Sequence, residues 1–168
     1  MTTAELFADA FGRVHDIVHR VVEGLTSEQL TFRLDGDSNS IAWLVWHLTR
    51  VQDDHVADVA GIDQVWTSSG WAERFGLPLD ISDTGYGHDR HQVGVVTGET
   101  EMLLGYHDAV YDMALRFARQ VTDVDLDRIV DERWDPPVTL GVRLVSVIAD
   151  DLQHAGQASY IRGILERR

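Results

Sequence analysis

The sequence contains no cysteine among its 168 residues. Disulfides, thiolate zinc sites and cysteine nucleophiles are therefore excluded, and any metal ion has to be held by nitrogen and oxygen ligands. The absence of cysteine also suits a protein of the reducing cytoplasm, which is the compartment that we expect.

Basic residues and long apolar runs are scarce as well. Fourteen Lys and Arg residues against 28 Asp and Glu residues give a formal net charge of −14. Such a surface repels phosphate backbones and anionic lipid headgroups, so we expect neither nucleic-acid nor membrane binding. No stretch approaches the roughly 20 apolar residues that span a bilayer. The start, MTTAELFADAFGR, lacks the basic and apolar regions of a signal peptide, which predicts a soluble intracellular protein.

Four segments of the chain show helical periodicity in their apolar residues. The pattern predicts helices over about 3–25, 41–60, 99–121 and 139–166. Thr2 and Glu5 have capping-box spacing before the first, and Gly61 is placed to cap the second. The predicted apolar stripe of the first helix consists of Leu6, Ala10, Val14, Ile17, Val21 and Leu25. We expect residues 1–168 to form a single all-α domain, a four-helix bundle.

A long insert, about 63–98, separates the second and third predicted helices. It is rich in glycine and tryptophan, and connections of this length within a compact domain are usually functional or disordered. Trp66, Trp71 and Phe75 predict that it packs back onto the bundle, with a short helix near 70–75. No segment alternates apolar and polar residues convincingly, so we expect no strand.

Three residues on two predicted helices form a candidate metal site. Asp150 and His154 are four residues apart, so they lie one turn apart on the same face of the last helix. His47 lies on the apolar stripe of the second helix. Alone, such a pair often arises by chance, and such a histidine is more often a core residue. Together, two nitrogens and one carboxylate suit zinc, nickel, iron or manganese, with coordination positions left open.

The two runs that contain these residues, SIAWLVWHLTRVQ and DDLQHAGQASYIRG, resemble the DinB-like superfamily. That superfamily includes bacterial thiol-dependent transferases, such as those using bacillithiol, and the mycothiol-dependent maleylpyruvate isomerase. The resemblance implies a four-helix bundle whose metal is held by His47, Asp150 and His154. Most relatives have His or Glu at the position of Asp150. Aspartate is shorter than glutamate by one methylene and needs a closer ion or a bridging water, and Asp151 is the fallback ligand.

The resemblance also implies a function. We expect a metal-dependent transferase or isomerase that uses a low-molecular-weight thiol such as mycothiol as cosubstrate and acts on a small molecule. Zinc is the first expectation for the metal, and nickel, iron and manganese are alternatives. A homodimer is expected by resemblance alone. Two other interpretations stay open: a non-catalytic, stress-related protein that binds a metal or ligand, and a metal-assisted hydrolase.

Other polar residues are ranked below these three ligands. Gln157 and Arg162 are candidates for binding the cofactor or orienting the substrate, and helix-surface polarity is the alternative for both. His55 could reach the edge of the same cavity, and His88 and His91 could close over it as a lid. His107 falls beside the apolar stripe of the third helix. For each of these histidines a structural or surface role is favoured, and no catalytic residue is identified.

Overall fold

The computed structural model describes residues 1–167, which contain four long helices as predicted. These are α1 (Thr3–Val22), α3 (Ile41–Ala60), α7 (Thr100–Ala118) and α8 (Leu140–Leu165). The shorter elements are α2 (Ser27–Thr31), α4 (Val65–Ser68), α5 (Trp71–Phe75), α6 (Arg90–Val95), a 3₁₀ helix (Asp123–Asp127), β1 (Ile129–Asp131) and β2 (Val138–Thr139). The predicted all-α bundle with a long insert between its second and third long helices is confirmed.

The four long helices form a closed ring of neighbours. Helix α3 packs against α8 and α7, and α1 packs against α7 and α8. The order around the bundle is therefore α1, α7, α3, α8, with α1 and α3 on one diagonal. As a consequence, the α3–α8 edge lies opposite the α1–α7 edge. No helix within residues 1–167 is both long and apolar enough to cross a membrane.

The predicted signals at the helix ends are confirmed. The Thr2 hydroxyl accepts the Glu5 N–H, and the Glu5 carboxylate accepts the Thr2 N–H, which completes the capping box of α1. Gly61 adopts a left-handed conformation with φ of 68° and ends α3. A residue with a side chain is disfavoured there, so this glycine stops the helix at little conformational cost.

The buried face of α1 differs from the predicted stripe. Leu6 is 53% exposed, whereas Phe7 and Phe11 are buried. Val14 and Val21 lie in the core as predicted. The two phenylalanines bury larger apolar surfaces than Leu6 and Ala10, so the helix is rotated to place their rings inside. The prediction of Leu6 was wrong because the predicted apolar stripe and the observed buried face both contain Val14 and Val21, so these two valines do not distinguish them.

Three short α-helices, the 3₁₀ helix and a strand pair were not predicted. Strand β1 pairs antiparallel with β2, and this ribbon leads directly into α8. Its strands have three and two residues, which is too short for an alternating pattern to appear in the sequence. Helices α2, α4 and α6 have four to six residues each, too few for a helical period to be recognised.

The insert packs back onto the bundle through its aromatic residues, as expected. Trp66 and Phe75 are buried, and the Trp71 ring lies 5.8 Å from that of Tyr106 on α7. The predicted short helix is α5. The inner face of the insert therefore belongs to the core, and the insert covers the side of α3 that the other long helices leave free.

A buried carboxylate on α3 joins the insert to the bundle. Asp53 accepts the N–H groups of Val65 and Trp66 at 2.8 and 2.7 Å, and the Tyr106 hydroxyl at 2.8 Å. The guanidinium of Arg50 lies 3.7 Å from the same carboxylate, and both side chains are fully buried. Every one of these contacts neutralises a charge or a polar group that would be costly to bury alone.

Replacing Asp53 should therefore destabilise the whole protein. We expect Asp53→Ala to lower the free energy of unfolding by about 3–5 kcal/mol, because Arg50 would stay buried without its carboxylate. Asp58→Ala, which removes an exposed aspartate from the same helix, should change it by no more than about 0.5 kcal/mol. Urea unfolding of both variants measures the difference. Equal, small effects would contradict a structural role for this carboxylate.

Candidate metal centre

The three predicted ligands come together at the α3–α8 edge. His47 projects from α3, and Asp150 and His154 project from consecutive turns of α8. The Nε2 atom of His47 lies 4.0 Å from Asp150 Oδ2, and that of His154 lies 3.5 Å from Asp150 Oδ1. One potential ligand atom from each residue lies within 4.8 Å of the other two.

The ring of His47 is held in a defined tautomer. Its Nδ1 lies 2.5 Å from the carbonyl oxygen of Thr84. A carbonyl can only accept, so Nδ1 carries the proton and Nε2 presents a lone pair towards Asp150. The Trp43 ring stacks on the imidazole at 4.6 Å and fixes its plane. Burial lowers the pKa of His47 more than the Thr84 hydrogen bond raises it, which favours the neutral, ligating form.

Asp150 and His154 on α8 form an ion pair, and one oxygen of the Asp150 carboxylate has no hydrogen-bond donor within residues 1–167. Burial opposes the charge on both residues, but their mutual attraction dominates, raising the pKa of His154 and lowering that of Asp150. The Oδ2 atom of Asp150 is buried and has no hydrogen-bond partner within residues 1–167. A buried carboxylate oxygen without a donor is costly. It faces His47, where a cation would satisfy it.

Gln157 acts on His154. Its Oε1 lies 3.3 Å from His154 Nδ1. An amide oxygen is an acceptor, so the contact keeps a proton on Nδ1, and Nε2 is the nitrogen that would bind a metal ion in place of the proton it holds towards Asp150. Both histidines thus present Nε2, and the third donor is an unpartnered carboxylate oxygen. This donor set fits a divalent transition-metal ion held by three protein ligands with positions left open.

An open cleft of about 640 Å³ borders this cluster. Its wall includes His47, Asp150, His55, Tyr86, Trp134 and Arg143. Tyr86 and Trp134, which both line the cleft, are largely exposed to solvent. The structure thus places His55 at the edge of the same cavity. The volume is sufficient for a small organic substrate.

The far wall of the cleft carries two guanidinium groups that share one carboxylate. Arg133 and Arg143 donate to Asp131 Oδ2 at 2.8 and 3.0 Å. The hydrogen bonds from Arg133 hold the pKa of Asp131 well below its usual range. Arg143 also lies 3.1 Å from His55 Nδ1. Asp54 also lines the cleft, with its Oδ2 3.6 Å from His55 Nδ1, so the two guanidinium groups lie among several carboxylates.

His88 supports the cluster from behind. The indole N–H of Trp43 donates to His88 Nδ1 at 3.1 Å, and His88 Nε2 lies 2.9 Å from Asp83. The His88 side chain is only 2% exposed, so it is a buried support for Trp43 rather than a moving lid. His91 is exposed at the start of α6. His107 is buried with its Nδ1 3.0 Å from the Thr49 hydroxyl, which agrees with a structural role.

Two of the other residues proposed from sequence lie away from the cluster. Asp151 is fully buried, and its carboxylate has no hydrogen-bond partner in the described part of the chain. Burial raises its pKa well above the ordinary value. The cluster of potential ligands consists of His47, Asp150 and His154 and does not include Asp151, the fallback ligand. Arg162 donates to the carbonyl oxygens of Val21 and Glu23 at the end of α1, so the structure does not bring it to the cleft.

Gly85 was missed by sequence reasoning, although it lies against His47. A Cβ atom at this position would lie 2.8 Å from His47 Nδ1 and 3.0 Å from the Trp46 ring. The backbone φ is +91°, a value that L side chains rarely adopt. Only glycine therefore lets the loop come close enough for Thr84 to accept the imidazole proton. The sequence signal that could have indicated a special backbone conformation here is the pair of glycines that flanks Tyr86 in the insert.

Gly85→Ala should disturb His47 directly. The matched control is Gly87→Ala, where φ is also positive at +74° but an added Cβ would have no neighbour within 4 Å. We expect both variants to lose about 1 kcal/mol of stability through the backbone. Only Gly85→Ala should lose more and shift the His47 ring resonances, measured by urea unfolding and imidazole NMR. Identical behaviour of the two variants would show that the contact does not hold His47.

Comparisons with known proteins place the chain in a family. A family model described as mycothiol-S-transferase matches residues 7–167. The fold is shared with a crystal structure titled as the conserved protein of locus from Enterococcus faecalis, at a TM-score of 0.92 and 28% identity, covering 100% of this chain and 99% of that chain. No curated protein matches. The predicted DinB-like relationship is thereby confirmed, and the chain belongs to the mycothiol-S-transferase family.

Proposed function

We propose that this protein is a metal-dependent S-transferase that joins the sulfur of mycothiol, or a similar low-molecular-weight thiol, to a small electrophile. The metal ligands in this proposal are His47, Asp150 and His154. The observation that carries it is the unpartnered Oδ2 of Asp150 facing Nε2 of His47, with Nε2 of His154 beside the other oxygen of the same carboxylate. That arrangement occurs in a member of the mycothiol-S-transferase family.

The absence of cysteine supports an external thiol. The chain has no sulfur nucleophile of its own, since thioethers of methionine do not form thiolates. In S-transfer, a carbon–sulfur bond forms as the bond to the leaving group breaks. The leaving group departs with the bonding electrons, and the thiol releases its proton to the solvent. A divalent ion held by the three residues would supply a Lewis acid that lowers the pKa of the thiol.

The protein's own residues would orient the ligands and admit the reactants. Thr84 and Gln157 hold the two imidazoles in the tautomers that expose Nε2. Trp43 covers one face of His47 and keeps solvent from it. The cleft would hold the substrate beside His47 and Asp150, with the exposed rings of Tyr86 and Trp134 in its lining. Arg133 and Arg143 line the same cleft and offer guanidinium N–H groups to a polar group of the electrophile.

Zinc is the first choice for the metal, because imidazole and carboxylate donors with an open position are typical of catalytic zinc sites. Nickel, iron and manganese fit the same donors less specifically. A homodimer stays a prediction from family resemblance. Binding of a metal or ligand without turnover remains the competing interpretation, and the experiment below separates the two.

The test measures metal content and thiol consumption together. The zinc-loaded chain is incubated with mycothiol and an alkyl halide, and loss of free thiol is followed. We expect the wild type to turn over. His154→Ala should lose at least ~100-fold in the rate of thiol consumption, because loss of a metal ligand should cost more activity than the 10–100-fold that loss of a supporting residue costs. Asp150→Glu introduces the longer carboxylate of many relatives and should keep the metal.

Two glutamines on α8 provide a matched control. Gln157→Ala removes the acceptor from His154 and should weaken zinc binding about tenfold. Gln153→Ala removes an exposed side chain whose amide donates to the Ala149 carbonyl, and it should leave binding unchanged. Zinc bound to the wild type without consumption of any thiol would favour the non-catalytic interpretation. Zinc content that is unchanged in His154→Ala would refute the site itself.

A further inference from the structure

A second group of imidazoles and a carboxylate lies at the opposite edge of the bundle. His15 and His19 are one turn apart on α1, and Asp108 faces them from α7. We refer to these three residues as the α1–α7 cluster. The α1–α7 edge is opposite the α3–α8 edge, so this cluster is separated from the candidate metal centre by the core of the bundle.

The two imidazoles converge on a single oxygen atom. The Nε2 atoms of His15 and His19 lie 3.0 and 2.6 Å from the same Oδ1 of Asp108. One potential ligand atom from each residue lies within 4.8 Å of the other two. The potential ligands are again two imidazole nitrogens and one carboxylate oxygen. Here both histidines lie on one helix and the carboxylate lies on the other.

A second carboxylate stands behind one of the imidazoles. The Nδ1 atom of His19 lies 3.0 Å from Glu23 Oε1, one turn further along α1. Histidines that ligate metals almost always donate their other ring N–H to such an acceptor, which fixes the tautomer and raises the basicity of the ligating nitrogen. With a proton held on Nδ1, His19 would ligate through Nε2 once the ion replaces the proton that Nε2 donates to Asp108.

The surroundings hold the rings in place and leave one side open. The Tyr111 ring stacks on His15 at 4.2 Å, and the buried ring of His107 lies 5.8 Å from His15 on the inner side. The side chains of His15 and His19 are 25% and 27% exposed. An ion could therefore enter from solvent and complete its coordination with water.

We propose that His15, His19 and Asp108 bind a second divalent transition-metal ion, independently of the site formed by His47, Asp150 and His154. The ion would link α1 to α7 across the edge of the bundle. Because it would bind the folded chain and not the unfolded one, it should raise the free energy of unfolding. The competing explanation is an ion-pair network in which Asp108 accepts hydrogen bonds from both histidines and no metal binds.

The test is zinc stoichiometry of the full chain, measured by equilibrium dialysis and elemental analysis. We expect two equivalents in the wild type and one in His154→Ala, which removes a ligand of the first site only. Adding His19→Gln or Asp108→Asn to that variant should abolish the remaining equivalent. His91→Gln, at an exposed histidine outside both clusters, serves as the control and should bind as the wild type does.

Two further measurements keep the test independent of folding defects. Glu23→Ala leaves all three ligands in place, removes the acceptor from His19 Nδ1 and should weaken the second equivalent about tenfold. Zinc should also shift the ring resonances of His15 and His19 in the His154→Ala protein, where the fold is checked by circular dichroism.

The possible results separate the two sites. If His154→Ala binds no more zinc than the double variants, and its His15 and His19 resonances do not move, the α1–α7 cluster is an ion-pair network only and the proposal is overturned. If zinc binding depends on His19 but not on His154, the second site stands and the first fails. The outcome for the transferase function is thus distinguishable from the outcome for this inference.

Discussion

The buried pair of Arg50 and Asp53 is the interaction on which the candidate site depends. Asp53 holds the start of the insert through the backbone of Val65 and Trp66. Arg50 holds its later part, because its Nε donates to the carbonyl oxygen of Asp83 at 3.1 Å. The next residue supplies the carbonyl that fixes the tautomer of His47. Two charges that are costly to bury singly thus connect the insert to α3 and orient a ligand three residues away.

Much of the bundle could be predicted because its signals are local. Capping at Thr2, the glycine stop at Gly61 and the apolar periods of the long helices each lie within a few residues of one another. Spacing indicated Asp150 and His154 as a pair on one helix. Only the resemblance to a family connected this pair with His47, about a hundred residues earlier in the chain. The contact of Thr84 with His47 could not be predicted, since a backbone carbonyl has no residue signature. The burial of Phe7 in place of Leu6 depended on packing volume, which a periodic pattern does not measure.

The two imidazole–carboxylate clusters differ in how they satisfy their carboxylates. At the α1–α7 edge, Asp108 receives both histidines within hydrogen-bonding distance. At the α3–α8 edge, the short side chain of Asp150 leaves one oxygen 4.0 Å from His47 and without a donor. An ion at the α3–α8 edge would occupy this gap, whereas an ion at the α1–α7 edge would have to replace the imidazole protons that Asp108 accepts. The shorter side chain of aspartate at position 150 therefore still places its carboxylate oxygens beside both imidazoles.

The most direct measurement of the central claim is a crystal structure of the zinc-soaked protein with anomalous diffraction at the zinc edge. At the α3–α8 edge, we expect an anomalous peak about 2.0–2.2 Å from His47 Nε2, His154 Nε2 and an Asp150 carboxylate oxygen, with the remaining position facing the cleft. Absence of a peak among these three residues at saturating zinc, with their side chains placed as described here, would contradict it.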